Sequence, residues 1–287
     1  MGAADPAESG RPGRGPAPNR TPLWIAITRA VSPAIARCEL THVERAPIDL
    51  DRARRQHTVY EEAIVHAGCL LTRLPAEPAL PDSVFVEDTA AVLDEVAVLL
   101  RPGAPSRRPE TDTIAGILAR HRRLVRIEAP GTVDGGDILK VGRTIYVGRS
   151  GRSNDAGREQ LGRLLAPFGY RVTGVAVTGC LHLKSAVTRV GPGLILINPR
   201  WVDPAVFGPV DRIEVDPREP FGANALRIGD AILYPAAYPR TRERLEARRL
   251  TVCRVDLSEL AKAEGGITCS SLVFRRTGQN RQVTRIP

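Results

Sequence analysis

Short apolar runs recur along the chain in pairs, each pair parted by a turn, entered through a polar segment and followed by a helical pattern and a further apolar run. The stretch 131–152, GTVDGGDILKVGRTIYVGRSGR, carries the pattern most fully. An acidic entrance (Asp134, Gly135, Gly136, Asp137) precedes an apolar run over 138–141, a Gly142-Arg143 turn and a second run over 144–147. This predicts a β-hairpin with a polar mouth. Asn154 then caps a helix whose Leu161, Leu164, Leu165 and Phe168 fall at i, i+3, i+4 and i+7, and 171–177 is a strand. The adjacent glycines leave Asp134 and Asp137 as the side chains of this mouth and let another backbone come close. By itself the motif is an ordinary Asp-Gly turn.

The same order occurs again at 81–88 (PDSVFVED), which leads to runs over 90–93 and 96–101, a helix with Ile114, Ile117, Leu118 and His121 in register, and a strand over 124–127. Residues 179–185 enter a hairpin whose second run is 194–197, followed by a short helix near 202–207 and a strand over 212–215. Residues 221–224 enter runs over 225–228 and 231–234, a helix around 241–248 and a strand over 250–255. After a short helix over 258–263, the last entrance, 265–271, opens a strand over 272–274 that nothing follows. The chain begins with an equally partnerless strand, 23–29. An irregular, lid-like segment over 30–50 comes next, then a helix from Asp49 or Asp51 to about Gly68 with Tyr60, Ile64 and Ala67 on one face, and a strand over 69–74.

Pairing the two ends completes a fifth unit. Five ββαβ units closed in this way predict an α/β fold, a five-bladed α/β propeller whose five polar entrances converge on the axis. Residues 1–21 are Gly, Pro and Ala without periodicity and are expected to form a disordered tail. That leaves 22–287 as a single catalytic domain.

Composition narrows the partners. A formal net charge of +9 and a pI near 9.9 suggest nucleic acid. Yet only three of the 41 basic residues are lysines, and the arginines are scattered without interleaved aromatics, so no nucleic-acid partner is expected. No apolar run reaches membrane-spanning length and no apolar signal region opens the chain, which predicts a cytoplasmic protein without a membrane partner. The five cysteines show no C-x-x-C spacing, so neither a zinc knuckle nor a disulfide framework is indicated.

Convergence of the entrances would place Asp82, Glu87, Asp88, Asp134, Asp137, His182, Asn224 and Cys269 in one pocket. Each has an ordinary reading, as a turn cap, a satisfied polar group or a small buried hydrophobe. Their equivalent positions in five repeats point instead to one site. A thiol and an imidazole make a nucleophile and general acid/base pair, which a carboxylate can orient. Further carboxylates disfavour an anionic transition state and suit a planar cation, for which guanidinium has the matching bidentate geometry.

The segments PDSVFVED, RPGAPSRR, DGGDIL, RTIYVGRSGRSN, LHLKSAV and TCSS, in this order and spacing over 24–274, resemble the dimethylarginine dimethylaminohydrolase family of the guanidine-modifying superfamily. The resemblance implies hydrolysis of N-omega-methylated arginines to citrulline and methylamines through a covalent thiouronium, with no cofactor and no metal. It implies Cys269 as nucleophile, His182 as acid and base, and Asp134 as the carboxylate that orients His182. Asp88 with Glu87 would hold the guanidinium, Arg107 and Arg152 the α-carboxylate, and Asp82 the α-amino group. Ile35 would lend a lid carbonyl, with Phe85, Ala263 and Glu264 completing the substrate pocket. Glu264 stands where an aspartate is usual, and the lid over 34–46 matches poorly. The partner so implied is a small guanidino amino acid, bound by a monomer or homodimer. Three alternatives stay open: an arginine or agmatine deiminase, a silent binder of arginine-like ligands, and zinc held adventitiously by Cys180, His182 and Cys269.

Overall fold

Fifteen strands pair into five three-stranded sheets of one topology in the computed structural model, which describes residues 23–277. The tail expected over 1–21 lies outside these residues. Each sheet has an antiparallel pair of strands, a hairpin in four of the five, one member of which pairs in parallel with a third strand. They are β3 (Ala90–Val92), β4 (Val96–Leu99) and β5 (Arg123–Arg126); β6 (Ile138–Val141), β7 (Thr144–Arg149) and β8 (Arg171–Ala176); β9 (Val187–Gly191), β10 (Leu194–Ile197) and β11 (Asp211–Glu214); and β12 (Leu226–Ile228), β13 (Ala231–Pro235) and β14 (Thr251–Val255). In the fifth, β1 (Trp24–Arg29) lies between β15 (Leu272–Arg275), antiparallel with Trp24 opposite Arg275, and β2 (Cys69–Leu74), parallel with Trp24 opposite Cys69. The first and last strands therefore pair as their lack of other partners predicts.

Burial explains the strand compositions. The middle strands are continuous apolar runs because both faces are covered: Val96 to Leu99, Ile145 to Val147, Ile195 to Ile197 and Ile25 to Ile27 are all buried. The third strands are partly exposed and carry charge, such as Arg123 and Arg126 on β5 and Asp211, Arg212 and Glu214 on β11. Charged edges of this kind resist pairing with another chain.

The parallel connections are helical where the 3.6-residue period is strong. In α1 (Leu50–His66), Asp49 accepts from the Arg52 N–H at 2.9 Å, and Tyr60 and Ile64 are fully buried. Ile114 and Leu118 anchor α2 (Glu110–Leu118). Asn154 accepts from the Gly157 N–H at 2.8 Å to start α3 (Asp155–Leu165), which buries Leu161 and Leu165. Two short helices, α5 (Pro239–Ala247) and α6 (Ser258–Ala261), match the expected positions, whereas the single turn α4 (Leu183–Ala186) falls where the sequence suggested only a hairpin entrance.

The short helix expected near 202–207 is a single 3-10 turn, Pro204–Phe207, in which only Phe207 is buried and which Gly208 ends at φ +69°. Gly208, in a conformation open to glycine, stops the segment after one turn. The lid over 30–50 contains a 3-10 turn, Ile35–Arg37, and is otherwise irregular up to α1.

Candidate active site

Three hairpin mouths are single helical turns that aim their polar groups at one another: the 3-10 turns Val86–Thr89 and Gly135–Asp137, and α4. Glycine is required between them, since a Cβ on Gly136 would lie 2.5 Å from His182 Nδ1. Asp137 has a structural task. Fully buried, it accepts from Ser150 Oγ at 2.5 Å, Ser153 Oγ at 2.6 Å and the Leu183 N–H at 3.0 Å, joining the second mouth to the third. Asn224 braces the loop before Cys269 by accepting the Thr268 N–H at 3.0 Å and donating to the Lys184 carbonyl at 3.0 Å.

His182 Nε2 lies 3.0 Å from Asp134 Oδ2, and both side chains are buried. The other Asp134 oxygen accepts the Gly103 N–H at 2.8 Å, which fixes the carboxylate. Burial works against charge on His182, but Asp88, the hydrogen bond to Asp134 and the Asp137 and Asp134 charges outweigh it and push the imidazole up to about 9. Asp88 accepts the Gly136 N–H at 2.8 Å and an Arg107 N–H at 2.6 Å. Burial opposes its ionisation too, yet His182, Arg107 and that amide hold it below the usual carboxylate range.

Cys269 is half-buried, and its Sγ accepts the Gly266 N–H at 3.2 Å. Burial, with Glu87 and Asp88 adding to it, drives the thiol well above its ordinary value, against the smaller opposite effects of the Gly266 amide and Lys184. The resting pair is thus a neutral thiol and an imidazolium. Glu87, beside them, receives Lys184 Nζ at 2.5 Å and Thr268 Oγ1 at 2.7 Å.

Nine of the residues expected at the site, Asp82, Phe85, Asp88, Arg107, Arg152, His182, Ala263, Glu264 and Cys269, line one pocket of about 20 Å³. Asp134 meets it through His182, and Glu87 is turned toward Lys184 and Thr268. Ile35 is not among the lining residues. Its side chain is in the core with Tyr60 and Phe85, and its carbonyl accepts the Cys38 N–H at 3.0 Å. Arg107 is committed within the protein, to Glu110 at 3.2 and 2.9 Å, to Asp88, and to the Phe85 carbonyl at 3.1 Å. Arg152 is half-buried and makes one side-chain bond, to Thr41 Oγ1 at 3.0 Å. Asp82 accepts the Glu39 N–H at 3.3 and 3.1 Å, and the Glu264 carboxylate accepts lid amides.

Sequence reasoning missed Lys184, Thr268, Glu110 and Glu39. The i, i+3 spacing of Arg107 and Glu110 was a usable signal for one of them. For metal, the group tight enough among the described residues is Asp88, Asp134 and His182, whose ligand atoms lie within 4.8 Å of one another, and not the Cys180, His182 and Cys269 trio. Arg107 and the imidazolium already supply positive charge to those carboxylates, so the donor set suits a proton better than a cation.

No protein-family model matches the chain. It is 40% identical over 256 residues to the N(G),N(G)-dimethylarginine dimethylaminohydrolase of Streptomyces coelicolor, spanning 88% of this chain and 98% of that protein. The fold superposes with a TM-score of 0.83 on a cysteine-to-serine variant of the Pseudomonas aeruginosa enzyme complexed with citrulline, at 35% identity and covering 87% of this chain and 98% of that one. A histidine-to-glycine dimethylarginine dimethylaminohydrolase carrying an S-methyl-L-thiocitrulline adduct matches with the same TM-score, identity and coverage. The chain belongs to the dimethylarginine dimethylaminohydrolase family.

Proposed function

We propose that this protein hydrolyses N-omega-methylated arginines to citrulline and a methylamine, with Cys269 as nucleophile. The observation that carries the reading is the pocket itself, whose wall brings Cys269, His182 and Asp88 together, with the Glu87 charge adjoining. Asp88 and Glu87 hold the substrate guanidinium, Arg152 and Arg107 its α-carboxylate, and Asp82 its α-ammonium. Phe85, Ala263 and Glu264 shape the cleft. The arriving cation favours the thiolate, whose proton leaves to solvent.

Sulfur then bonds to the guanidinium carbon. His182 gives its proton to the substituted nitrogen, the carbon–nitrogen bond breaks, and the methylamine departs from a cationic thiouronium. Neutral His182 next takes a proton from water as the oxygen bonds to the same carbon. The carbon–sulfur bond breaks, the thiolate is restored, and citrulline forms once the product cation loses its proton. Asp134 keeps Nε2 of His182 oriented and its charged form favoured throughout.

The five sheets are the blades of a propeller, with 22–287 as one catalytic domain. What supports this is that β3 adjoins β15, β9 adjoins both β6 and β12, and the pocket draws residues from the mouths of several sheets. The protein acts in the cytoplasm as a monomer or homodimer without nucleic acid. No helix among the described residues is long and apolar enough to cross a membrane. Mass spectrometry after separate incubation with dimethylarginine, monomethylarginine, arginine and agmatine tests the activity. Citrulline with dimethylamine or methylamine is expected. Turnover of arginine alone, with ammonia, would replace this reading by a deiminase.

A further inference from the structure

The lid tip over 39–43 is fastened to the groups that line the catalytic pocket. Asp82 takes the Glu39 N–H, Arg152 donates to Thr41 Oγ1 at 3.0 Å, and Ser106 Oγ donates to Glu39 Oε1 at 2.5 Å. The most concentrated fastening is Glu264. Its Oε2 accepts the Thr41 N–H at 3.0 Å, and its Oε1 accepts the Val43 N–H at 2.9 Å together with the His42 N–H. Three consecutive amides turned toward one carboxylate form a nest for an anion, here supplied by the protein itself.

The backbone of Glu264 is unusual as well. Its φ of +58° is a left-handed conformation that a side chain disfavours and that the next two residues, both glycine, could adopt without cost. A strained residue held at a pocket wall calls for a reason. With the lid fastened, the catalytic pocket offers about 20 Å³, room for about one water and far less than an amino acid needs. A cavity of about 210 Å³ adjoins it across Leu181, Glu264 and Gly265, with His42 and Val43 in its wall. An amino acid exceeds the space of the catalytic pocket, so its wall must shift to admit it, and Glu264, which is part of that wall, is the group that holds the amides of residues 41–43.

We propose that Glu264 is a positioning residue for the lid, a latch that draws residues 41–43 down over bound substrate, and not a ligand of the substrate ammonium. This rests on the reading that the pocket beneath the lid receives an amino acid. Two variants of the full chain test it: Glu264→Gln, which keeps the shape without the charge, and Glu264→Gly, which suits the left-handed backbone and so protects folding. Hydrogen exchange measured without substrate should show the peptide over 39–45 exchanging roughly tenfold faster or more in Glu264→Gly, less so in Glu264→Gln, with the sheets unchanged. Unchanged lid exchange in both variants overturns the proposal.

A second arm compares the KM of dimethylarginine with that of the same compound lacking its α-amino group. A latch raises both by the same factor. A rise confined to the compound bearing the amine makes Glu264 an ammonium ligand and overturns the proposal. If the wild-type protein turns over neither compound, the functional reading fails while the exchange measurement still decides the latch.

Discussion

Arg107 Nη1 donates to Asp88 Oδ2 across 2.6 Å with both side chains buried, so a guanidinium of the protein already occupies one oxygen of the carboxylate that we assign to the guanidinium of the substrate. The same arginine makes a two-point contact with Glu110. Arg107 is thereby a structural centre of the first hairpin mouth as well as part of the pocket wall, whereas Arg152 reaches out from a half-exposed position to the lid.

The two arginines should therefore fail differently. Arg107→Ala strands two buried carboxylates, a loss of about 3–5 kcal/mol by the usual cost of breaking a buried ion pair from one side. A large drop in melting temperature is expected along with lost activity. Arg152→Ala should melt near the wild-type temperature and mainly raise KM, because the bond to a substrate carboxylate exists in both ground and transition states. Equal melting temperatures for the two variants would contradict this division.

Cys269→Ser should abolish turnover while retaining substrate binding. In the free enzyme the rate of Cys269 alkylation should still be climbing at pH 9, since burial, Glu87 and Asp88 all disfavour the thiolate. A non-reactive guanidinium ligand places a cation among those carboxylates and should shift the titration downward. An alkylation rate already level below neutrality, and unmoved by the ligand, would show that the protein alone activates the sulfur.

Asp134→Asn removes the acceptor at 3.0 Å from His182 and part of the charge that favours the imidazolium. Turnover should fall by about 100-fold, within the range for a lost acid–base function, with KM little changed. The alkaline limb of the rate profile should move to lower pH, because protonated His182 is the donor to the departing amine. A raised KM with turnover intact would make Asp134 a substrate ligand instead.

His182 also links stability to pH. Its folded value of about 9 lies above the ordinary 6.5, so its contribution is complete below pH 6.5 and is lost as pH rises through 9. The difference corresponds to about 3 kcal/mol. Urea unfolding at pH 6.5 and 9.5 should show a larger loss for the wild-type protein than for His182→Asn. Parallel losses would mean that other groups carry the dependence.

Much of this was readable from short-range pattern. Asp49 and Asn154 cap the helices they precede, and the pairing of β1 with β15 follows from two strands that had no other neighbour. The apolar middle strands were legible because burial on both faces leaves a continuous run. What escaped the sequence depends on distant partners. Thr41 and Glu264 are 223 positions apart, and no periodicity announces that lid amides will meet that carboxylate. Lys184 and Glu87 meet across 97 positions, from separate hairpin mouths. Ile35, expected to lend a carbonyl from the lid, keeps its side chain in the core cluster with Tyr60 while that carbonyl accepts the Cys38 N–H at 3.0 Å, a local partner that the motif does not reveal. The short helix expected near 202–207 is there as one 3-10 turn, its length unreadable because proline at a helix start is compatible with either one turn or several.

The placement of β1 between β2 and β15 has a bearing on how the chain is made. β1 leaves the ribosome ahead of the other strands of the described residues, and its parallel neighbour β2 follows about 40 residues behind it, with α1 between them. Its antiparallel neighbour β15 comes about 240 residues behind it. At roughly 5–20 residues per second, that edge of β1, with its Ile25 and Ile27, waits about 12 to 50 s for its cover. During that interval the nascent chain presents an open strand edge of the kind that pairs with other chains. Ribosome-bound chains halted before Leu272 should accordingly be captured by a general chaperone, and chains extended far enough to release β15 should lose that capture.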